Sequence, residues 1–175
     1  MTNKFNFHHY KLFTFSILLS FAFISCKKNK AGKELDQELY EMAQETSGFT
    51  WYKNSDALLE KSAGSGHPMP YLRTRYNATA ANFLDEEGKV IPGTIFSEGS
   101  LIVKELYDDP ETISRYALFY KDSDNEYSDE LGWVYGYVEA NGDVASPSKN
   151  KGGSCIDCHS QSGNIDRTLM NNFYP

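Results

Sequence analysis

The chain has 175 residues, with 24 acidic against 17 basic side chains and a formal net charge of −7. That balance excludes a surface built for nucleic acid, whose phosphates it would repel. Three cysteines and 40% hydrophobic residues exclude a disulfide scaffold and leave room for an ordinary packed core.

The N-terminus reads as an export signal. Lys4 and Lys11, with His8 and His9, accompany an apolar run from Leu12 to Ile24 that contains no acid. That length suits a signal-peptide core and falls short of the roughly 20 residues a membrane span needs. The run ends Phe23-Ile24-Ser25-Cys26. It resembles the lipobox of bacterial lipoproteins, where a peptidase cuts ahead of the cysteine and the thiol carries a diacylglycerol; Phe23 stands where leucine is commoner. The expectation is a lipoprotein signal over 1–25, lipid on Cys26, a polar tether over 26–33, and one domain over 34–175. That domain would lie in the bacterial cell envelope, lipid-anchored and periplasmic or surface-exposed. An uncleaved short anchor would put it in the same place. Without residues 1–25 the chain keeps 15 basic and 24 acidic side chains, a net −9.

Glu34 to Ser47 predicts an amphipathic helix, with Leu35, Leu39, Met42 and Ala43 at helical spacing and Gly48 as its stop. Ser55 to Ser62 predicts a second, short helix with Ser55 as cap and Leu58 and Leu59 inward. A Gly/Ser loop and the extended His67-Pro68-Met69-Pro70 follow. Tyr71 to Asn77 alternates as a strand, Leu72, Thr74 and Tyr76 on one face and Arg73 and Arg75 on the other. Ala78 to Leu84 reads as a small helical piece and Asp85 to Gly88 as a turn. Ser100 to Tyr107 is the strongest strand, and Tyr116 to Lys121 is another. Trp133 to Glu139 pairs with a short strand near Val144 across Asn141-Gly142, a hairpin turn signal. Ser146 to Ser154 is a polar loop. The fold class expected is α+β, predominantly antiparallel sheet with flanking helices.

After that loop comes Cys155-Ile156-Asp157-Cys158-His159, the Cys-x-x-Cys-His attachment run of c-type haem. Two thiols three residues apart share a helical face and reach one porphyrin edge as thioethers, and the adjacent imidazole reaches iron. With Cys26 taking lipid and Cys155 and Cys158 taking one haem c, every thiol is used. A zinc site wants four ligands, and there is no second cysteine pair; outside the signal the only other histidine is His67. A thioredoxin-like pair would sit early in a strand–helix–strand unit, not near the C-terminus.

The chain resembles the cytochrome P-460 family, which includes the β-sheet cytochromes c′ (cytochrome c′-beta). The resemblance runs roughly from Gly66 to Phe173. Its pieces are Gly66-His67-Pro68 with Leu72-Arg73-Thr74-Arg75-Tyr76-Asn77, then Phe96-Ser97-Glu98-Gly99-Ser100-Leu101-Ile102-Val103-Lys104-Glu105. Tyr120-Lys121-Asp122 with Gly132-Trp133, and the late Cys-x-x-Cys-His run followed by Asp166, complete it. The resemblance implies an antiparallel sheet with helices, a homodimer, His159 as the proximal ligand and an open distal face. There a small nitrogen species, nitric oxide or hydroxylamine, would bind or be processed, with electrons passing to a redox partner protein. A simple electron-transfer cytochrome is the alternative.

Two further residues carry expectations. Lys104 stands where hydroxylamine-oxidising members bond a lysine to the porphyrin; it shares a strand face with Ile102 and Leu106, where a lysine is partly buried or snorkels along its neighbours, and a strand lysine that reaches solvent or a haem propionate is the plainer reading. Arg73 matches a family arginine near the distal pocket. The carboxylate that oxidising members hold above iron is replaced here by Ala117 or its neighbour. Met69 and Met170 are weaker candidates for a sixth ligand, and His67 is read as structural or propionate-facing.

Overall fold

The computed structural model of the protein describes residues 32–175; the expected export signal, Cys26 and the expected tether as far as residue 31 lie outside the described residues. Among the described residues no helix is long and apolar enough to cross a membrane.

The architecture is α+β, dominated by an antiparallel sheet of seven strands. These are β1 (Thr50–Trp51), β2 (Leu59–Glu60), β3 (Tyr71–Tyr76), β4 (Leu101–Asp109), β5 (Thr112–Lys121), β6 (Trp133–Glu139) and β7 (Val144–Ser146). Their order is β1-β3-β4-β5-β6-β7, with β2 also pairing with β3. The helices are α1 (32–44), α2 (Ala78–Ala81), α3 (Ser154–His159) and α4 (Met170–Phe173). Among the described residues α1 covers 32–44, so it already includes Gly32 and Lys33 ahead of the expected Glu34 and ends short of the expected Ser47.

One expected element is absent. Ser55 to Ser62 forms no helix; its centre is β2, where Leu59 pairs with Leu72 and Glu60 with Tyr71. Eight residues of helix would need tertiary packing to hold them, and the edge of β3 offers backbone partners instead. The hairpin at Asn141-Gly142 is present: the Gly142 N–H donates to Glu139 O, with Gly142 at φ +92.

Both faces of the sheet are covered, for different purposes. Against one face lies α1, whose Leu35, Leu39 and Ala43 pack on Val103, Leu118, Val134 and Val138. Gly136 allows this approach, since a Cβ there would meet Leu118 Cδ1 at 3.0 Å and Leu39 Cδ1 at 3.3 Å. Arg75 is fully buried on this face. Its guanidinium pairs with Glu105, donates to the Ala43 carbonyl near the end of α1, and lies over the rings of Phe49 and Trp51. The other face carries an aromatic core of Tyr76, Phe96, Phe119, Trp133 and Tyr135. Over it folds the C-terminal segment from Gly152 onward, and between the two lies a cavity.

Candidate functional site

Sheet register builds the floor of that cavity. Thr74, Lys104, Ala117 and Tyr137 form one cross-strand row, and Tyr76, Ile102, Phe119 and Tyr135 form the next. Four strands at about 4.8 Å spacing make this floor roughly 14 Å wide. The cavity measures about 470 Å³, within the range of small-ligand and cofactor sites. Cys155, Cys158 and His159 of α3 line it, as do His67, Lys104, Met170 and Phe173.

Two glycines deliver α3 to this position. Gly152 has φ +79 and Gly153 has φ +43. A Cβ on Gly152 would lie 2.8 Å from both Tyr135 Cε2 and Ile156 Cγ1, so a side chain there is excluded by backbone and by space. Cys155 and Cys158 are free thiols. Burial pushes the Cys155 thiol above its ordinary pKa, which keeps it protonated.

His159 is the most constrained of the three. Its Nδ1–H donates to the Arg167 carbonyl at 2.7 Å, and its ring stands edge-on to Phe119 with centroids 4.7 Å apart. Burial, with the nearby Lys104 ammonium, pushes its pKa down to about 4. The imidazole is therefore neutral at pH 7, with Nδ1 committed and the Nε2 lone pair free for a ligand or metal.

The acceptor carbonyl belongs to a tightly held turn. Asp166 and Arg167 have φ +44 and +72. The Asp166 carboxylate accepts from Lys121 Nζ at 3.1 Å, Trp133 Nε1 at 3.1 Å and the Phe96 N–H at 2.9 Å. Arg167 donates from Nε to Asp129 at 3.0 Å, from Nη2 to Glu130 at 2.9 Å, and from Nη1 to Ser160 Oγ.

Lys104 faces the cavity between Thr74 and Ala117. Burial pushes its pKa down to about 8, partly opposed by the Cys158 sulfur. His67 also lines the cavity, its Nδ1 3.4 Å from the Tyr137 hydroxyl. Burial, then Lys104 and His159, push it down to about 2, so it too is neutral. Met170 is buried there and its Sδ accepts from Thr74 Oγ1 at 3.3 Å. Ala117 occupies the floor, and none of the described residues lining the cavity is Asp or Glu.

The structure thus brings Cys155, Cys158, His159, Lys104, His67 and Met170 together, and leaves two candidates outside. Arg73 lies on the opposite face of β3, its Nε donating to Glu105 at 2.6 Å and its guanidinium stacked over Trp51 and Tyr107. The alternation along β3 sends odd and even residues to opposite faces, so Thr74 and not Arg73 meets the cavity. Met69 is buried in the aromatic core and does not line it. Sequence reading missed Asp129, Arg167 and Thr168, which follow no spacing rule and meet the site only through the fold.

Compared with protein-family models, with curated proteins and with solved structures, the chain finds no match.

Proposed function

We propose that the chain is an exported, lipid-anchored, monohaem c-type cytochrome of the kind the P-460 and cytochrome c′-beta resemblance implies. Cys155 and Cys158 carry the thioethers and His159 Nε2 is the proximal ligand of iron. The observation that carries this reading is the state of His159: a neutral imidazole with Nδ1–H bonded to a backbone carbonyl, in a cavity that two free cysteines also line. Metal-bound histidines characteristically donate their second nitrogen to such an acceptor. Apolar walls, two thiols at attachment spacing and one prepared imidazole fit a haem edge and its iron.

Bound haem supplies an iron that takes a small ligand and exchanges one electron. The chain's own residues select among the uses of that iron. Oxidation of hydroxylamine needs a group to accept protons, and no carboxylate is among the described cavity residues; the neutral His67 is a very weak base. Binding of nitric oxide or a similar small nitrogen species is therefore favoured over its oxidation. His67 and Met170 line the same cavity, which supports electron transfer with a sixth protein ligand as the second reading. Lipidation of Cys26, delivery of electrons to a redox partner protein and homodimerisation belong to the same proposal.

An absorption spectrum of the purified, reduced protein with and without nitric oxide separates these uses. A five-coordinate spectrum that changes on adding nitric oxide is expected. A low-spin spectrum indifferent to the gas would overturn gas binding in favour of electron transfer. A Soret band far to the red that disappears in Lys104→Leu would identify a lysine–porphyrin bond and with it the oxidising reading.

Lys104 also makes a prediction about stability in the haem-free chain with serine at 155 and 158. Its pKa is about 8 in the folded chain against an ordinary 10.5. Below pH 8 the buried ammonium opposes folding; between these values the unfolded chain holds more protons, so stability rises with pH. In that background Lys104→Met should raise the melting temperature most below pH 8, with the gain fading toward pH 10.5. Thermal melts across that range check it, and a gain that grew with pH would contradict it.

A further inference from the structure

We infer that the Asp166–Arg167 turn, clamped by Lys121 and Asp129, is the device that positions His159. This deepens the haem reading and rests on it for its consequence at iron, though the imidazole geometry is a property of the polypeptide alone.

Two consecutive residues other than glycine in left-handed conformation are costly. They persist only where surrounding contacts over-determine them, and here each is tied separately. The Asp166 carboxylate is 5% exposed and paired with Lys121, which is 6% exposed. It also holds the indole N–H of Trp133 and the Phe96 N–H, so it is fixed to β5, β6 and the segment before β4. Arg167 is fixed to Asp129, whose side chain is 2% exposed. Asp129 in turn accepts the Tyr135 hydroxyl at 2.9 Å and the N–H groups of Leu131 and Trp133, each at 2.9 Å. Tyr135 is itself part of the cavity floor.

The turn therefore connects the cavity floor to the carbonyl that holds His159. Removing an ion pair on either side lets the backbone at 166–167 relax from its left-handed geometry. The Arg167 carbonyl then moves relative to Nδ1, and the imidazole loses its fixed tautomer and ring angle. Lys121, Asp129, Asp166 and Arg167 are positioning residues; none of them lines the cavity with its side chain.

The test reads the imidazole directly. In wild-type protein labelled with 15N, in the ferrous carbonmonoxy form where haem is attached, the His159 ring proton should reside on Nδ1 and exchange slowly with water. A proton on Nε2 instead overturns the inference whether or not any variant folds. In Arg167→Gln, which removes the ion pairs and keeps the cost of the left-handed backbone, and in Asp166→Ala, that proton should exchange about three- to tenfold faster, the factor a net hydrogen bond of ordinary strength is worth. The ferrous iron–imidazole stretching band should move to lower frequency. Val103→Ala, a core truncation on the far face of the sheet, should move neither reading. Unchanged exchange and an unchanged band in both variants would overturn the clamp while leaving the haem reading intact. A wild-type chain that carries no haem would overturn the haem reading, and the proton's location and exchange would still decide the clamp.

Discussion

Replacing Cys155 and Cys158 together with serine should leave a folded chain from which acid–acetone extraction removes any porphyrin completely. The native chain should retain its porphyrin through the same treatment. Serine is close in size to cysteine, and both thiols are only partly buried beside a cavity, so the sheet core of Trp133, Leu72 and Leu106 is not disturbed. The loss is chemical: a hydroxyl forms no thioether. His159→Ala separates attachment from ligation. That variant should keep the porphyrin bound through both sulfurs and lose its proximal nitrogen. Its affinity for nitric oxide should change by more than about 100-fold, beyond what altering a hydrogen-bond partner of a ligand typically does, and added imidazole should restore a histidine-like spectrum. A His159→Ala protein spectrally identical to the parent would remove His159 from iron.

The second large effect lies on the other face of the sheet and concerns stability alone. Glu105 is 2% exposed and accepts from Arg73 Nε at 2.6 Å and from the Tyr107 hydroxyl at 2.6 Å, besides pairing with the buried Arg75. Glu105→Gln keeps the shape and removes the charge, stranding the Arg75 guanidinium among Phe49, Trp51 and α1. Breaking a buried pair from one side costs about 3–5 kcal/mol, which for a domain of this size lowers the melting temperature by roughly 6–20 °C. Arg73→Gln, at a guanidinium 26% exposed, should cost about 1 kcal/mol or less. Neither change should move the absorption spectrum, because both residues face away from the cavity. Thermal denaturation with a parallel spectrum checks both halves; a spectral shift in Glu105→Gln would show that the far face reaches the site.

Much of this molecule is legible in one dimension, and the illegible parts share physical causes. The period-two alternation of Tyr71–Tyr76 is correct in phase, placing Leu72, Thr74 and Tyr76 together. Its polar partners mislead, because Arg75 is as buried as Tyr76: α1 covers the second face, and charge there is buried against charge. β4 extends past the expected Tyr107 to Asp109, and β5 begins at Thr112, not Tyr116. Acidic and exposed residues at the tip of that hairpin carry no hydrophobic signal, so the strands fade from the pattern before their hydrogen bonds end. β1 and β2 are two residues each and exist only because β3 offers an edge.

The site divides the same way. Cys155, Cys158 and His159 lie within five consecutive residues, so the proposed attachment spacing is legible in the sequence alone. Lys104 is legible from its place between Ile102 and Leu106, since alternation puts all three on one face. Lys121 and Asp129 meet Asp166 and Arg167, 45 and 38 residues further on, only through side-chain pairing, and no local pattern encodes such a meeting. The resemblance alone puts Arg73 near the pocket, and the alternation of β3, which sets it on the face opposite Thr74, is the better guide.

The proposed function requires porphyrin held covalently in this cavity. Mass spectrometry of a protease digest of the protein purified from its native membranes is the decisive experiment. The peptide containing Cys155 and Cys158 should carry the added mass of one haem. The same peptide found with two unmodified thiols, or with those thiols joined as a disulfide, would contradict it.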